Sequence, residues 1–197
     1  MNLFEILYIA GYIGTITIRV VYGIRRKKAN VEERRPELPV SIASIVWLFG
    51  SQIIPFLYIG GVKWFDFADY SLPSFVGWIG VGVFVLSLWL LWRSHTDLGR
   101  NWSPTLEVQN EQSLVTDGVY RHMRHPMYSA HFVWGIAQIL LLHNWIAGWG
   151  GLLTFVPVYL LRYPPEEQMM IDTFGEEYRD YMTQTGRIFP KVSGSAT

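Results

Sequence analysis

The chain has 197 residues, enough for one domain or one compact membrane bundle. Half of its residues are apolar and 16% are aromatic, with nine Trp and eleven Tyr, a composition that points to a membrane protein with interfacial aromatic belts. Formal charge is zero, so bulk electrostatics favour neither nucleic acid nor an acidic partner, and the absence of cysteine excludes disulfides, thiolate metal sites and a Cys nucleophile.

Residues 2–23 read as a first apolar helix, interrupted by Glu5 near its start and by Arg19, which can snorkel from the last turn. The N-terminal five residues lack the basic region of a cleaved signal peptide, so this helix is expected to be kept. Ala10 with Gly14, and Gly11 with Thr15, place small residues four apart, where a neighbouring helix can approach closely. A strongly basic loop follows, and residues 41–62 form a second apolar run with Pro55 as a kink. Residues 74–92 are a third run, rich in glycine at Gly77, Gly80 and Gly82. Residues 93–125 are polar by comparison, with Asn101 and Trp102 placed either to line a site or to end the third helix.

Residues 127–142 and 145–161 form two further apolar runs separated by His143-Asn144, which predicts a tight antiparallel hairpin whose first arm is short for an upright span of about 20 residues. Beyond it, Pro164 and Pro165 remove backbone donors and are expected to bend the chain. Met170, Phe174, Tyr178 and Met182 recur every four residues, the pattern of an amphipathic tail helix that Gly175 can interrupt. The expected fold is all-α: a polytopic membrane bundle of about five transmembrane helices, a C-terminal helical hairpin and a cytoplasmic amphipathic tail helix. Its divisions are 1–92 (three spans), 93–126 (a polar segment), 127–162 (hairpin), 163–192 (a polar tail) and 193–197 (a disordered end).

Loop charge sets the orientation. Fourteen Lys/Arg fall in the loops and tail expected on one side, against Lys63 alone on the other. By the positive-inside rule the N-terminus faces outward, and the segment 93–125 shares the cytoplasmic face with the C-terminal tail.

Within nine residues from Tyr120 to Tyr128 lie two histidines, two arginines and two tyrosines, at the mouth of the fourth run. Pro126 suits the first position of that helix, where its missing N–H is not needed. A helix start flanked by Arg124 and His125 is a natural seat for an anionic group; it is equally the basic collar of a membrane helix. His122 and His125 stand three apart, yet no cysteine or third ligand completes a zinc spacing, so no metal is expected. Arg162, at the end of the fifth run, is an interfacial anchor or a functional cation; Glu166 and Glu167 are first-turn helix acids or a catalytic pair.

Five blocks occur in order: Leu98-Gly99-Arg100-Asn101-Trp102; Val108-Gln109-Asn110-Glu111; Leu114 through Tyr120; Arg124-His125-Pro126-Met127-Tyr128; and Glu166-Glu167 followed by Phe174-Gly175-Glu176-Glu177-Tyr178. The set resembles the integral-membrane isoprenylcysteine carboxyl methyltransferases, in the family's order, from residue 98 onward. Residues 1–92 match only as generic apolar helices, and the small size resembles a prokaryotic member. The resemblance implies S-adenosyl-L-methionine as cofactor and, as acceptor, the α-carboxylate of a C-terminal prenylated cysteine drawn from the bilayer. It implies cofactor contacts at Gln109, Gln112, Ser113, Leu114, Val115, Tyr120, Arg124, His125, Pro126, Met127 and Tyr128, with Arg162, Glu166 and Glu167 as catalytic or substrate contacts. The chain departs from the eukaryotic pattern at Pro164-Pro165 and at Gln112, where a histidine can stand.

A carboxylate acceptor is ionised at neutral pH and needs no general base, so positioning and exclusion of water should supply most of the acceleration. The forked guanidinium of Arg162 suits the orienting role, with Glu166 fixing it or facing the sulfonium. Two other readings stay open: a membrane methyltransferase for a phospholipid amine, whose rate would rise with pH through the amine's pKa, and a non-catalytic membrane scaffold that binds no cofactor.

Overall fold

Pro55 shapes the second helix more than a kink would. Lacking an N–H, it leaves the carbonyl of Ser51 without its i→i+4 donor. The chain responds with a π-helical turn, Phe49–Ile53, between α2 (Leu38–Leu48) and α3 (Ile54–Ile59), in which the Ile54 N–H bonds Phe49 O. The carbonyls of Gly50 and Ser51 then need partners from elsewhere, because an apolar bundle offers no water. Gln138, fully buried, donates from Nε2 to Gly50 O (3.0 Å) and Ala147 O (2.6 Å). The buried Tyr8 hydroxyl supplies the rest, lying 3.0 Å from Ser51 O and 3.1 Å from Gln138 Oε1. One amide and one phenol thus tie four segments together.

The structure is a computed structural model that describes residues 1–25, 31–34, 38–99, 107–109 and 113–191. It is all-α apart from one short ribbon. In chain order come α1 (Leu3–Arg25), β1 (Val31–Arg34), α2, the π turn, α3, α4 (Ser74–Leu98), β2 (Glu107–Gln109), α5 (Pro126–Leu141), α6 (Gly150–Phe174) and α7 (Glu176–Gln184), with 3₁₀ turns at Lys63–Ala68 and Gly118–Arg121. Three stretches, Leu3–Ile24, Leu38–Ile59 and Ser74–Leu98, are long and apolar enough to cross a membrane among the described residues. Asn101, Trp102, Gln112 and residues 193–197 lie outside the described residues.

Small residues bring α1 and α4 together, as their spacing predicts. A Cβ on Gly11 would stand 2.6 Å from the Phe84 ring, and one on Gly77 would run into Phe4, so each helix lends a glycine to the other's phenylalanine. Tyr8, Phe84, Trp134, Ala137 and Leu141 form the buried centre of this half.

Connections alternate between two ends. β1 pairs antiparallel with β2, joining the α1–α2 and α4–α5 connections. Across the length of α4, about 37 Å for its 25 residues, Asp69 bridges to Asn144, joining the α3–α4 and α5–α6 connections. Met123 bridges to Gly186 and fastens the tail to the segment before α5.

Several sequence expectations shift. The fourth helix of the chain extends past Trp92 to Leu98, where Arg93 and Asp97 pair one turn apart (2.8 Å) and Gly99 takes a positive φ. The hairpin connection is longer than His143-Asn144, because buried Asn144 folds it: its Oδ1 accepts from the N–H of Ile146 and Ala147, and its Nδ2 donates to Phe65 O and Asp69 Oδ1. Helix α6 therefore starts only at Gly150. It then runs through Pro157, Pro164 and Pro165 to Phe174 as one element, so hairpin arm and tail share a single helix. Gly175 (φ 58°) ends it, and the four-residue stripe gives way to a new face in α7, with Tyr178 and Tyr181 buried.

Replacing Gln138 by Leu should leave Gly50 O and Ala147 O without the amide that serves them, and Tyr8 with Ser51 O as its one remaining partner. We expect a loss on the order of 2–3 kcal/mol or more, read as a lower unfolding temperature in detergent. An unchanged midpoint would remove this knot from the structure's supports.

Candidate active site

The segment before α5 is held at both ends. A Cβ at Gly118 (φ 61°) would collide with the Asp97 carboxylate, so glycine is required there; Asp97 instead accepts the Val119 N–H at 2.9 Å. Tyr120, buried, donates its hydroxyl to Ser94 O (3.3 Å), and Tyr181 of α7 donates to Tyr120 O (2.6 Å). Burial pushes the Tyr120 phenol well above its usual range, so it stays a neutral donor. The tail then returns across this segment. Arg124 N–H bonds Gly186 O, His125 N–H bonds Arg187 O, and Ser129 Oγ donates to Ile188 O.

Glu167 lies at the centre of that junction. Its Oε1 is 3.0 Å from Arg124 Nε, 3.2 Å from His125 Nε2 and 3.4 Å from Arg187 Nε. Burial alone would raise its carboxyl, but His125 and then Arg124 outweigh it and hold the pKa at about 2, against 4.5 ordinarily. Arg124 is occupied further by the carbonyls of Met182 (3.2 Å) and Thr185 (2.6 Å). Glu166, one residue earlier and more open, accepts the Tyr128 hydroxyl at 2.6 Å and stands 3.8 Å from His125 Nδ1. The His125 and Tyr128 rings lie 5.4 Å apart, and Tyr128 meets Tyr159 edge-on.

The fold thus brings Arg124, His125, Tyr128, Glu166 and Glu167 together, with Pro126 opening α5 beside them. Leu114 lines a neighbouring cleft of about 520 Å³ between the 114–121 segment and α7, faced by Asp180 and Gln184. Ser113 is exposed and Val115 half-buried along the same extended stretch, while Gln109 closes β2 opposite Val31. Arg162 stands one helical turn before Glu166 on α6 and acts electrostatically on Tyr128. His122 is exposed, and among the described residues no three His, Asp or Glu gather at a metal-binding spacing.

Two features escape the sequence. Arg187 follows the last periodic element and carries no motif, yet it caps Glu167 and lies 4.2 Å over the Tyr163 ring. Arg19 does not snorkel outward; it turns in, with Nη1 3.2 Å from Nε2 of buried His131.

The donor set fits a ligand that carries both an anion and a cation. At the start of α5, Met127 and Tyr128 offer backbone N–H groups that lie too early in the helix for intrahelical acceptors. Glu166 presents a partly exposed carboxylate to a positive centre, and Tyr128 offers an aromatic face.

Comparison with known proteins identifies the family. The isoprenylcysteine carboxyl methyltransferase family matches residues 72–172, just over half of the chain. The chain belongs to that family. A protein-S-isoprenylcysteine O-methyltransferase of Dictyostelium discoideum is 31% identical over 127 residues, covering 61% of this chain and 51% of that protein. The protein of the same name from Homo sapiens is 40% identical over 91 residues, covering 44% of this chain and 32% of the relative. The solved structure of a eukaryotic intramembrane Ras methyltransferase of the family superposes with a TM-score of 0.51 at 26% identity, over 80% of this chain and 52% of that one. The chain thus spans about half the length, or less, of these family members. The matched region holds both the 124–128 block and Glu166-Glu167, while Arg187 lies beyond it.

Glu167 sets a pH dependence. A carboxyl whose folded pKa lies below its unfolded one adds stability in full above the unfolded value and loses it as pH falls through the folded one. The stability advantage of the native chain over Glu167→Gln should therefore shrink between about pH 5 and about pH 2. Thermal unfolding in detergent at stepped pH checks this; a constant difference across the window would dismiss the Glu167 hub.

Proposed function

We propose that the chain is an S-adenosylmethionine-dependent O-methyltransferase acting on the α-carboxylate of a C-terminal prenylated cysteine. One observation carries the reading: the two blocks that resemble the family's cofactor and catalytic segments, some 40 residues apart in sequence, meet through the Tyr128–Glu166 hydrogen bond of 2.6 Å. A scaffold has no need of that convergence, and the relatives' names point the same way.

S-adenosylmethionine, when bound, supplies an electrophilic methyl group on a sulfonium. The start of α5, with His125, Pro126, Met127 and Tyr128, would hold its carboxylate end. Gln109, Gln112, Ser113, Leu114, Val115 and Tyr120 complete the cofactor set that we propose. Glu166 is the acid best placed to favour the sulfonium, because Tyr128 fixes one of its oxygens and the group remains partly open. Glu167 is committed to Arg124, His125 and Arg187, so its part in catalysis is to hold the cofactor helix and the tail in register. Arg124 acts through Glu167 in the same way. Arg162 would grip the acceptor carboxylate with its fork.

We further propose five spans, with α5 and the first half of α6 completing the bundle, and an active site facing the cytoplasm. The loop charges support this, as does the pairing of β1 with β2, which places the basic α1–α2 connection at the same end as the segment before α5. A water-soluble cofactor would then reach the site from the cytosol, and the prenyl tail from the bilayer, sparing it transfer into water at about 0.8 kcal/mol per CH₂.

Purified protein with labelled S-adenosylmethionine should methylate farnesyl-cysteine and leave a phospholipid amine unlabelled. Label in the amine alone would reassign the acceptor, and label in neither would favour the scaffold. Arg162→Lys and Glu166→Gln should each lower turnover about a hundredfold while leaving affinity for S-adenosylhomocysteine nearly unchanged. For orientation, Asp172→Cys should react with a thiol reagent from the cytoplasmic side and Trp64→Cys, at an 84% exposed position, from the other. Reaction of both from one side would refute the topology.

A further inference from the structure

Away from Glu166 and Glu167, basic side chains converge inside the bundle. Arg19 comes from α1 and His131 from α5, and Arg162 follows Phe155 by seven residues, two turns along the same face of α6, where the Phe155 ring stacks on His131. The centre is one contact, Arg19 Nη1 to His131 Nε2 at 3.2 Å. His131 Nδ1 lies 2.6 Å from Met127 O, and a carbonyl only accepts, so this network assigns the ring proton to Nδ1. Nε2 is then a lone pair that receives a hydrogen bond from Arg19. The ring itself is wedged against Trp47 (5.1 Å) and Phe155 (5.3 Å), which fixes its plane.

The choice of partner matters. An acid opposite Arg19 would cancel its charge. A neutral imidazole orients the guanidinium and leaves the charge available. Among the described residues Arg19 is paired with no carboxylate, and its hydrogen-bond partner is the His131 imidazole. A cation set among apolar helices without an acid is costly unless an anion joins it. Arg19 stands six residues before the end of α1, about 9 Å along the axis, at a depth that a headgroup on a lipid tail can reach. The position also adjoins the site: His131 and Tyr128 pack against the same Phe155 ring, and Tyr128 holds Glu166.

We propose that Arg19, oriented by His131, forms with Arg162 a carboxylate-binding subsite between α1, α5 and α6, and that this subsite makes the enzyme selective for an anionic, lipid-tailed acceptor. The inference rests on the methyltransferase reading above. Two forks sharing one carboxylate divide the ion pairing, so neither oxygen is held as tightly as a single bidentate pair would hold it. That leaves lone-pair density for attack on the methyl carbon. Arg19 is a specificity-determining residue here, and His131 is a positioning residue that never touches the acceptor.

The test uses the full chain in detergent, with N-acetyl-S-farnesylcysteine and its carboxamide as probes. Arg19→Gln should raise the acceptor KM about tenfold or more, the scale of a lost charge-assisted hydrogen bond, with kcat changed far less. Affinity for S-adenosylhomocysteine should be unchanged, which also reports that the variant folds. As competitive ligands, the native chain should prefer the carboxylate over the carboxamide, and Arg19→Gln should lose that preference. His131→Phe, which keeps the ring contacts but removes the acceptor nitrogen, should shift KM in the same direction and by less; it carries the test if Arg19→Gln does not bind S-adenosylhomocysteine. A native chain that methylates the probe, beside an Arg19→Gln variant with unchanged KM and intact preference, overturns the subsite alone. A native chain that methylates neither probe and binds no S-adenosylhomocysteine overturns the methyltransferase reading itself.

Discussion

A single buried carboxylate holds the functional end of this protein together. Glu167 gathers Arg124 and His125 from the segment before α5 and Arg187 from the tail beyond α7. Three donors on one oxygen explain how a charge only 6% exposed is tolerated, since a buried ion is stable only when its partners are fixed and its lone pairs are used. The backbone repeats the connection, with Arg124 and His125 bonded to Gly186 and Arg187. Side chains and main chain therefore fasten the same two segments. The start of α5 can present its N–H groups in a defined direction only because the tail is pinned across it.

A second constraint, the need to satisfy every backbone group in an apolar bundle, accounts for the other half. Pro55 frees carbonyls in mid-helix, the π turn displaces them sideways, and Gln138 and Tyr8 collect them. This cross-link lies toward the far end of α5 from the site. It fixes the axis of α5 from one end while Glu167 fixes it from the other. A rigid α5 is what the cofactor seat that we propose at its N-terminus would require, because the first-turn N–H groups point wherever the helix points.

The contacts separate the two adjacent acids. Glu166 is open and held by one phenol, and Glu167 is closed and held by two guanidinium groups and an imidazole. Neighbouring positions in sequence thus serve different ends, because successive residues on a helix point about 100° apart. The same reasoning separates Arg124, turned toward the tail carbonyls, from Arg162, one helical turn before Glu166 on α6.

The sequence by itself determined the helical class, the apolar segments, the opening of α5 at Pro126 and the order of the 124–128 and Glu166-Glu167 blocks. These follow from local signals: unbroken hydropathy, a proline at a helix start, and residue types in a fixed order. Gly11 was legible as well, since small residues at helical spacing let a neighbouring helix approach, whereas the contact of Gly77 with Phe4 was not. Tertiary structure decided the rest. The passage of α6 through Pro164 and Pro165 contradicts what prolines favour locally. The folding of the 142–149 connection depends on Asn144 reaching Phe65 and Asp69, over 70 residues away. Arg19 reads as a snorkelling residue until His131 is seen across from it, 112 positions later. Arg187 has no periodicity at all and finds its role only because the chain returns across α5. Each of these is a contact between distant residues, and no local pattern encodes which distant group will arrive.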